Sequence, residues 1–299
     1  MSRRLLILCS GQGGQHGAMF DLARTHARAA ALLQQSALPA DPAPLFANRV
    51  AQPLIVAASL AMWEALRDVA PAPALVAGYS IGELAAYGVA GALAPRDAMA
   101  LAHTRAGLMD GCLAAQPEQA LAAVSGLALA RTRELLAAQG CHMAIITGED
   151  SCIAGGPAAA LEALAQSVAA AGGRSKRLPV DVAAHTPYMA AAVAPFAAAL
   201  GATSFAAQHT PLLSGIAANI IAGKAAAVEH LSRQLAETIR WMDCMDACAE
   251  AGITVALELG PGAALARMLQ ARHPGIACRS VSDFRSIDGI GQWLARQFD

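Results

Sequence analysis

A chain of 299 residues is long enough for one large domain or two modest ones, and 56% hydrophobic against 14% charged and 4% aromatic residues describes a packed interior of alanine, leucine and valine. That composition excludes a disordered chain. A net charge of −1, with no basic tail and no zinc-knuckle spacing, excludes a nucleic-acid partner.

The first segment, MSRRLLILCSGQGGQ, carries an apolar run too short for a signal peptide and reads as a buried strand over Leu5 to Cys9. A Gly-rich turn and a helix follow, then a helix from about Pro53 to Val69. A short apolar strand next runs through Gly78-Tyr79-Ser80-Ile81-Gly82 into an alanine-rich helix. Another helix spans about Pro95 to Ala114. From Ala120 to Val180 the pattern is strand, helix, strand, strand, helix, strand, the order of a ferredoxin-like unit. The last of these strands is expected at 174–180. The alternating pattern resumes at His185 with a helix, a strand near Pro211 to Ile216 and one long helix through Ala225 to Ala251. A strand over Ile253 to Leu259, the turn Gly260-Pro261-Gly262 and two helices separated by a short strand finish the chain. The fold class expected is α/β, a mostly parallel sheet with helices on both faces and the ferredoxin-like unit inserted.

Two features could mislead. The stretch 182–223 has no Asp, Glu, Lys or Arg, yet its prolines and histidines argue for a helix and strand in a protein core rather than a membrane span. The seven cysteines (Cys9, Cys112, Cys141, Cys152, Cys244, Cys248 and Cys278) are odd in number and contain no Cys-x-x-Cys pair, so neither a disulfide framework nor a metal site is indicated. Cys244 and Cys248, four apart on a helix, read as small buried hydrophobes, and the cytoplasm is the expected compartment.

Four places carry candidate chemistry. Ser80 lies in a Gly-x-Ser-x-Gly turn between strand and helix, where small neighbours permit a strained backbone that exposes a nucleophilic hydroxyl; a plain tight turn is the alternative. The helix that follows aims its N-terminal amides at the site, with the Ile81 N–H as the nearest donor to an oxyanion. His185 ends the extended segment LPVDVAAH and precedes Thr186-Pro187, a capping residue and a residue suited to the first helical position. Such a side chain sits at the C-terminal end of a strand, where open parallel sheets bind ligands, against the alternative of a histidine that bonds backbone only.

Arg105 falls on one helical face with Ala98, Leu101, Ala102, Met109 and Cys112, opposite Arg96, His103, Gly107 and Asp110. An inward guanidinium needs either a buried protein carboxylate or one delivered by a ligand, and spacing alone favours the structural ion pair. The loop Gly11-Gln12-Gly13-Gly14-Gln15 matches neither a dinucleotide-binding fingerprint nor a P-loop; its amides suit the second donor of an oxyanion hole, or it is a tight turn.

GQGGQ after the first strand, GYSIGE around Ser80, HTRAGLMD around Arg105, LPVDVAAH ending at His185 and ELGPGAAL near Glu258 occur in an order and spacing that resemble the malonyl-CoA:acyl-carrier-protein acyltransferase family. The resemblance implies an α/β-hydrolase-like core over 1–118 and 183–299, with a ferredoxin-like small subdomain at 119–182. It implies Ser80 as nucleophile, His185 as its base, Gln12 and Ile81 as the oxyanion hole, and Arg105 as the residue that takes the malonyl carboxylate. The histidine would be oriented by a main-chain carbonyl near Arg240-Trp241. Malonyl-CoA would be the donor and a carrier-protein prosthetic thiol the acceptor, with no bound cofactor or metal. Carrier proteins are usually acidic, and Arg174, Lys176 and Arg177 are a local basic candidate, against the reading of a solvated turn.

Tyr79 stands where the family usually has His, the first loop lacks the usual Pro-Gly-Gln-Gly-Ser-Gln, and Ala144 to Asp150 replaces an Asn-rich segment. These departures resemble the malonyltransferase subunit of malonate decarboxylase, which implies other decarboxylase subunits as partners. The transacylase of fatty acid or polyketide synthesis is the alternative. A serine hydrolase and a non-catalytic carrier-binding module are the readings from other classes.

Overall fold

The computed structural model describes residues 3–36, 38 and 44–299. β1 (Leu5–Cys9) is buried at every position, as a strand covered on both faces requires. Where the sequence suggested one helix there are two short ones, α1 (Asp21–Arg24) and α2 (Ala27–Gln35). α3 (Asn48–Leu66) begins five residues before Pro53, which lies inside the helix. Proline favours a first helical position, hence the expectation, but here the burial of every other side chain from Ala51 to Met62 outweighs one lost backbone hydrogen bond. The earlier start puts Gln52 on the buried face.

β2 (Leu75–Gly78) runs parallel to β1, with Cys9 opposite Gly78, so both strands end level. α4 (Gly82–Val89) leaves that edge at once, and α5 (Pro95–Ala115) buries Ala98, Leu101, Ala102, Arg105, Met109 and Cys112, the stripe that helical spacing predicts.

Residues 119–177 form a separate four-stranded sheet. Its elements are β3 (Gln119–Ser125), α6 (Leu129–Ala138), β4 (His142–Gly148), β5 (Ser151–Pro157), α7 (Ala158–Ala170) and β6 (Arg174–Arg177). The order β4-β5-β3-β6, antiparallel throughout, is the ferredoxin-like arrangement expected from the sequence. Val124, Leu136, Cys152 and Leu164 belong to its own apolar core.

β6 stops at Arg177, and the chain then runs without regular structure to a 3-10 turn at Pro187–Met189 and α8 (Ala190–Ala202). β7 (Leu212–Leu213) and β8 (Ile220–Ile221) are two residues each; β8 has no counterpart in the sequence-based expectation. The single helix expected over 225–251 is two, α9 (Lys224–Arg233) and α10 (Trp241–Glu250). The segment 234–240 breaks because its backbone is used elsewhere: His185 N donates to Leu235 O (2.8 Å), Ile239 N to Ala144 O (3.0 Å) and Arg240 N to Gly215 O (2.8 Å). Tertiary partners there replace helical ones.

β9 (Val255–Leu259), α11 (Ala264–Arg272), β10 (Ala277–Ser280) and α12 (Ile287–Phe298) complete the chain. The main sheet has the order β10-β9-β1-β2-β7-β8 and is parallel except for β8. The carboxyl ends of β9, β1 and β2 share one edge, so the turns after Cys9, Gly78 and Leu259 gather there, the place where open parallel sheets bind ligands. Among the described residues no helix is long and apolar enough to cross a membrane.

Candidate active site

Three residues connect β2 to α4, and the middle one, Ser80, has φ 57°. An L-residue pays sterically for that left-handed conformation. The turn is closed by Gly82 N donating to Tyr79 O and Glu83 N donating to Ser80 O, both at 3.0 Å. Gly82 is required by contact: a Cβ there would lie 2.5 Å from Ser10 O and nearer still to Cys9 O. Its absence lets α4 start directly against the end of β1.

Ser80 Oγ lies 2.7 Å from His185 Nε2, and His185 Nδ1 lies 2.6 Å from Gln234 O. A carbonyl only accepts, so Nδ1 carries the proton and the Nε2 lone pair faces the serine hydroxyl. His185 is 2% exposed. Burial foremost, then the positive charge of Arg105, pushes its pKa down to about 3, while the Gln234 carbonyl pulls the other way. The ring is therefore neutral at ordinary pH and can accept a proton.

Some details differ from expectation. His185 is not at the end of a strand; it is a left-handed turn residue (φ 63°) in an irregular segment. Thr186 does not cap the helix that follows, since its hydroxyl donates to Ala183 O (2.6 Å), although Pro187 does open the 3-10 turn. The orienting carbonyl belongs to Gln234 rather than to the neighbourhood of Arg240-Trp241, because the chain leaves α9 at that point and turns past the imidazole.

Arg105 is 2% exposed and, among the described residues, pairs with no carboxylate at contact distance. Nη1 donates to Gln52 Oε1 (2.7 Å) and Nη2 reaches Gln234 Oε1 at 3.5 Å. Burial lowers its pKa to about 10, and the negative charge of Glu83 opposes that. Glu83, fully buried, accepts from Gly215 N (3.1 Å) and from Gln234 Nε2 through the same oxygen, Oε2. Its other oxygen has no partner among the described residues. Desolvation raises its pKa to about 8, against the two hydrogen bonds and Arg105. The structural ion pair favoured by spacing alone is thus a relay, in which Gln234 stands between the two charges.

Glu83, Gln52 and Gln234 escaped the sequence reading. Glu83 left a signal, a single charge in the apolar stretch ALVAGYSIGELAAYGVA. The two glutamines left none, being neutral amides brought in from distant segments.

Gln12 is half-buried in the loop after β1. That loop abuts the serine turn: a Cβ on Gly11 would lie 2.8 Å from both the Tyr79 ring and Tyr79 O. Tyr79 stacks edge-on against Trp241 of α10, with centroids 5.1 Å apart. The ELGPG motif anchors the loop from below, since Glu258 accepts from Ser10 Oγ and from Ala266 N, each at 2.8 Å. Among the described residues neither the Gln12 nor the Ile81 N–H donates to a protein acceptor.

A cleft of ≈ 650 Å³ opens above His185, walled by Arg133, His142 and Ile146 of the small sheet's unit and by Thr238 and Arg240. Arg174, Lys176 and Arg177 are exposed, but on a strand rather than a turn. β6 is also the edge opposite β4, so these cations lie away from the cleft wall.

A nucleophilic hydroxyl, a neutral base and a buried guanidinium together suit acyl transfer from a donor carrying a negative charge. Residues 7–294 match the acyl transferase domain family. The chain belongs to that family. It is 33% identical over 249 residues to the malonyl CoA-acyl carrier protein transacylase of Mycolicibacterium smegmatis (strain ATCC 700084 / mc(2)155), covering 81% of this chain and 85% of the relative. The crystal structure of MCAT from Mycobacterium tuberculosis superposes with a TM-score of 0.89 at 31% identity, over 97% of this chain and 100% of the other. A type II PKS acyl-carrier protein in complex with its malonyl-transacylase gives a TM-score of 0.86 at 26% identity, covering 97% and 99%. This acyltransferase shares their fold, an α/β core with a separate small antiparallel sheet.

Proposed function

We propose that the protein is a malonyl-CoA:acyl-carrier-protein transacylase of the fatty acid or polyketide synthesis type. The observation that carries this reading is a buried Arg105, without a carboxylate at contact distance among the described residues, beside the Ser80–His185 pair. A serine hydrolase has no use for such a group. The similar proteins are transacylases, one of them in complex with an acyl-carrier protein, which favours this role over the charging of a malonate decarboxylase carrier subunit. In this reading 1–118 and 183–299 supply the catalytic core and 119–182 one wall of the cleft.

His185 Nε2 takes the Ser80 proton as the hydroxyl oxygen attacks the malonyl thioester carbonyl. The carbonyl electron pair moves to oxygen, and the free N–H groups of Gln12 and Ile81 stabilise the oxyanion. Collapse expels the CoA thiolate, which recovers the proton from His185. The carrier thiol then reverses these steps on the malonyl-serine. Arg105 holds the malonyl carboxylate, and a group without one leaves the guanidinium unpaired, which disfavours acetyl. Neither a metal nor a redox group is needed.

Intact-mass measurement with malonyl-CoA tests the reading. A malonyl adduct that persists until a carrier thiol is added supports transfer; rapid release of free malonate indicates a hydrolase, and no adduct at all indicates a non-catalytic module.

A further inference from the structure

Among the described residues Glu83 is the one buried acidic group in contact with the Arg105 relay, and neither the attack on the thioester nor its reversal uses it. It lies three residues after Ser80 on α4. One oxygen accepts two hydrogen bonds, from Gly215 N and Gln234 Nε2, while Oε1 is buried and has no partner among the described residues. A carboxylate so half-satisfied is costly to keep charged. Among the described residues the charged and titratable groups around it are Arg105 on α5, Cys244 on α10 and Tyr87 one turn along α4, and Arg105 is the only cation of that set. Cys244 and Tyr87 are buried and raised by desolvation, so neither offsets a negative charge. Gln234 fixes the geometry: its side-chain amide bonds Glu83 and reaches Arg105, while its main-chain oxygen holds His185.

When Glu83 is ionised, one guanidinium and one carboxylate thus share Gln234 between them. A second carboxylate, brought by the acyl group, would leave two anions on one cation in a dry site. We propose that Glu83 is the charge-balancing residue of the acyl pocket: an acyl group bearing a carboxylate is accepted with Glu83 protonated, the proton coming from solvent, and ionised Glu83 competes with that group for Arg105. This rests on the reading that Arg105 receives the acyl carboxylate. Glu83 acts through Arg105 and Gln234 and is a positioning residue, not a catalytic one.

The sign follows from the ionisation. Burial pushes the Glu83 carboxyl up to about 8, so below that pH the pocket is neutral at Glu83 and binds the charged acyl group without adjustment. Above it, each pH unit makes the protonated form about tenfold rarer, and apparent affinity for a malonyl donor falls in step. His185 is neutral throughout that range and contributes no limb.

The test is single-turnover acylation of Ser80, read by intact mass from pH 6 to 9.5, with malonyl-CoA and acetyl-CoA as donors. For the natural chain the half-saturating malonyl-CoA concentration should rise about tenfold per pH unit above 8, while that for acetyl-CoA stays level. In Glu83→Gln, which keeps the side-chain shape, the malonyl limb should vanish. Should that variant not fold, the natural chain provides a second measurement: at pH 9 in weak buffer, malonyl loading should take up protons and acetyl loading should not. A malonyl limb retained in Glu83→Gln, parallel limbs for both donors, or equal proton uptake overturns the proposal. Arg105→Ala separates the two ideas: if it weakens malonyl and acetyl acylation equally, the carboxylate-clamp reading fails first. If it is malonyl-selective but the Glu83 limb is absent, only the charge-balance proposal fails.

Discussion

Ser80 and His185 meet at 2.7 Å with both backbones in the left-handed region, at φ 57° and 63°. Neither residue is glycine, so each conformation costs on the order of 1 kcal/mol or more and is held by its surroundings. The surroundings are specific. Gly82 lets the helix close on β1, and Leu235 O accepts the His185 N–H at 2.8 Å.

Ser80→Ala should abolish the malonyl adduct while leaving the fold intact, because the substitution removes only the hydroxyl. Intact mass after incubation with malonyl-CoA, beside a circular dichroism melt, checks both halves. An adduct of unchanged yield would move the nucleophile elsewhere.

Arg105→Ala should lower malonyl transfer on the order of 10²-fold, the worth of a charge-assisted hydrogen-bonded contact. Acetyl transfer should hold or improve, since no desolvated cation then waits unpaired. Steady-state kcat/KM with the two donors measures the difference, and equal losses would remove the carboxylate from the reading of this residue.

The pKa of His185 lies below its ordinary 6.5, at about 3, with burial as the main cause. Acetyl acylation, which has no carboxylate to accommodate, should be level between pH 5 and 7.5 instead of rising through 6.5. Stability carries the same signature. The unfolded chain binds the proton more readily than the folded one between these two values, so the contribution is complete above 6.5 and is lost as pH falls towards 3. Urea unfolding at pH 7 and pH 4.5 for the natural chain and for His185→Gln should show the fall shrinking in the variant.

Gly82→Ala should destabilise by about 2–3 kcal/mol, the range for forcing an atom into a packed site. The obstructing atoms are the backbone oxygens of Cys9 and Ser10, which cannot rotate away. Chemical denaturation gives the number; a change within error would mean that α4 shifts freely, contrary to its packing on β1 and β2.

Much of the candidate site's geometry is legible in the sequence because it is local. The serine turn, the Gly-rich loop and the inward stripe of α5 are each encoded within one short segment, and the strand–helix order of 119–177 predicts its sheet order. The failures share a cause as well. Gln234 orients His185 only because α9 ends early, and that end is dictated by hydrogen bonds to Ala144, His185 and Gly215, residues far away in the chain. Alanine-rich sequence on both sides favours helix, so local preference pointed through the break. The start of α3 differs from expectation for a similar reason: Pro53 signals a boundary, and the burial that overrides it involves helices still to come.

The loop 234–240 also bears on how separable the two sheets are. Ile239 N donates to Ala144 O, Ile146 N donates back to Ile239 O, and Thr238 Oγ1 donates to Met143 O, so the loop is stitched to β4 within five residues of the carbonyl that holds the imidazole. The small sheet is therefore not an interchangeable module. Grafting one from a relative, with a different β4 backbone, would first disturb the position of His185 and only then the cleft, so hybrid enzymes made at this junction should fail in turnover before they fail in substrate choice.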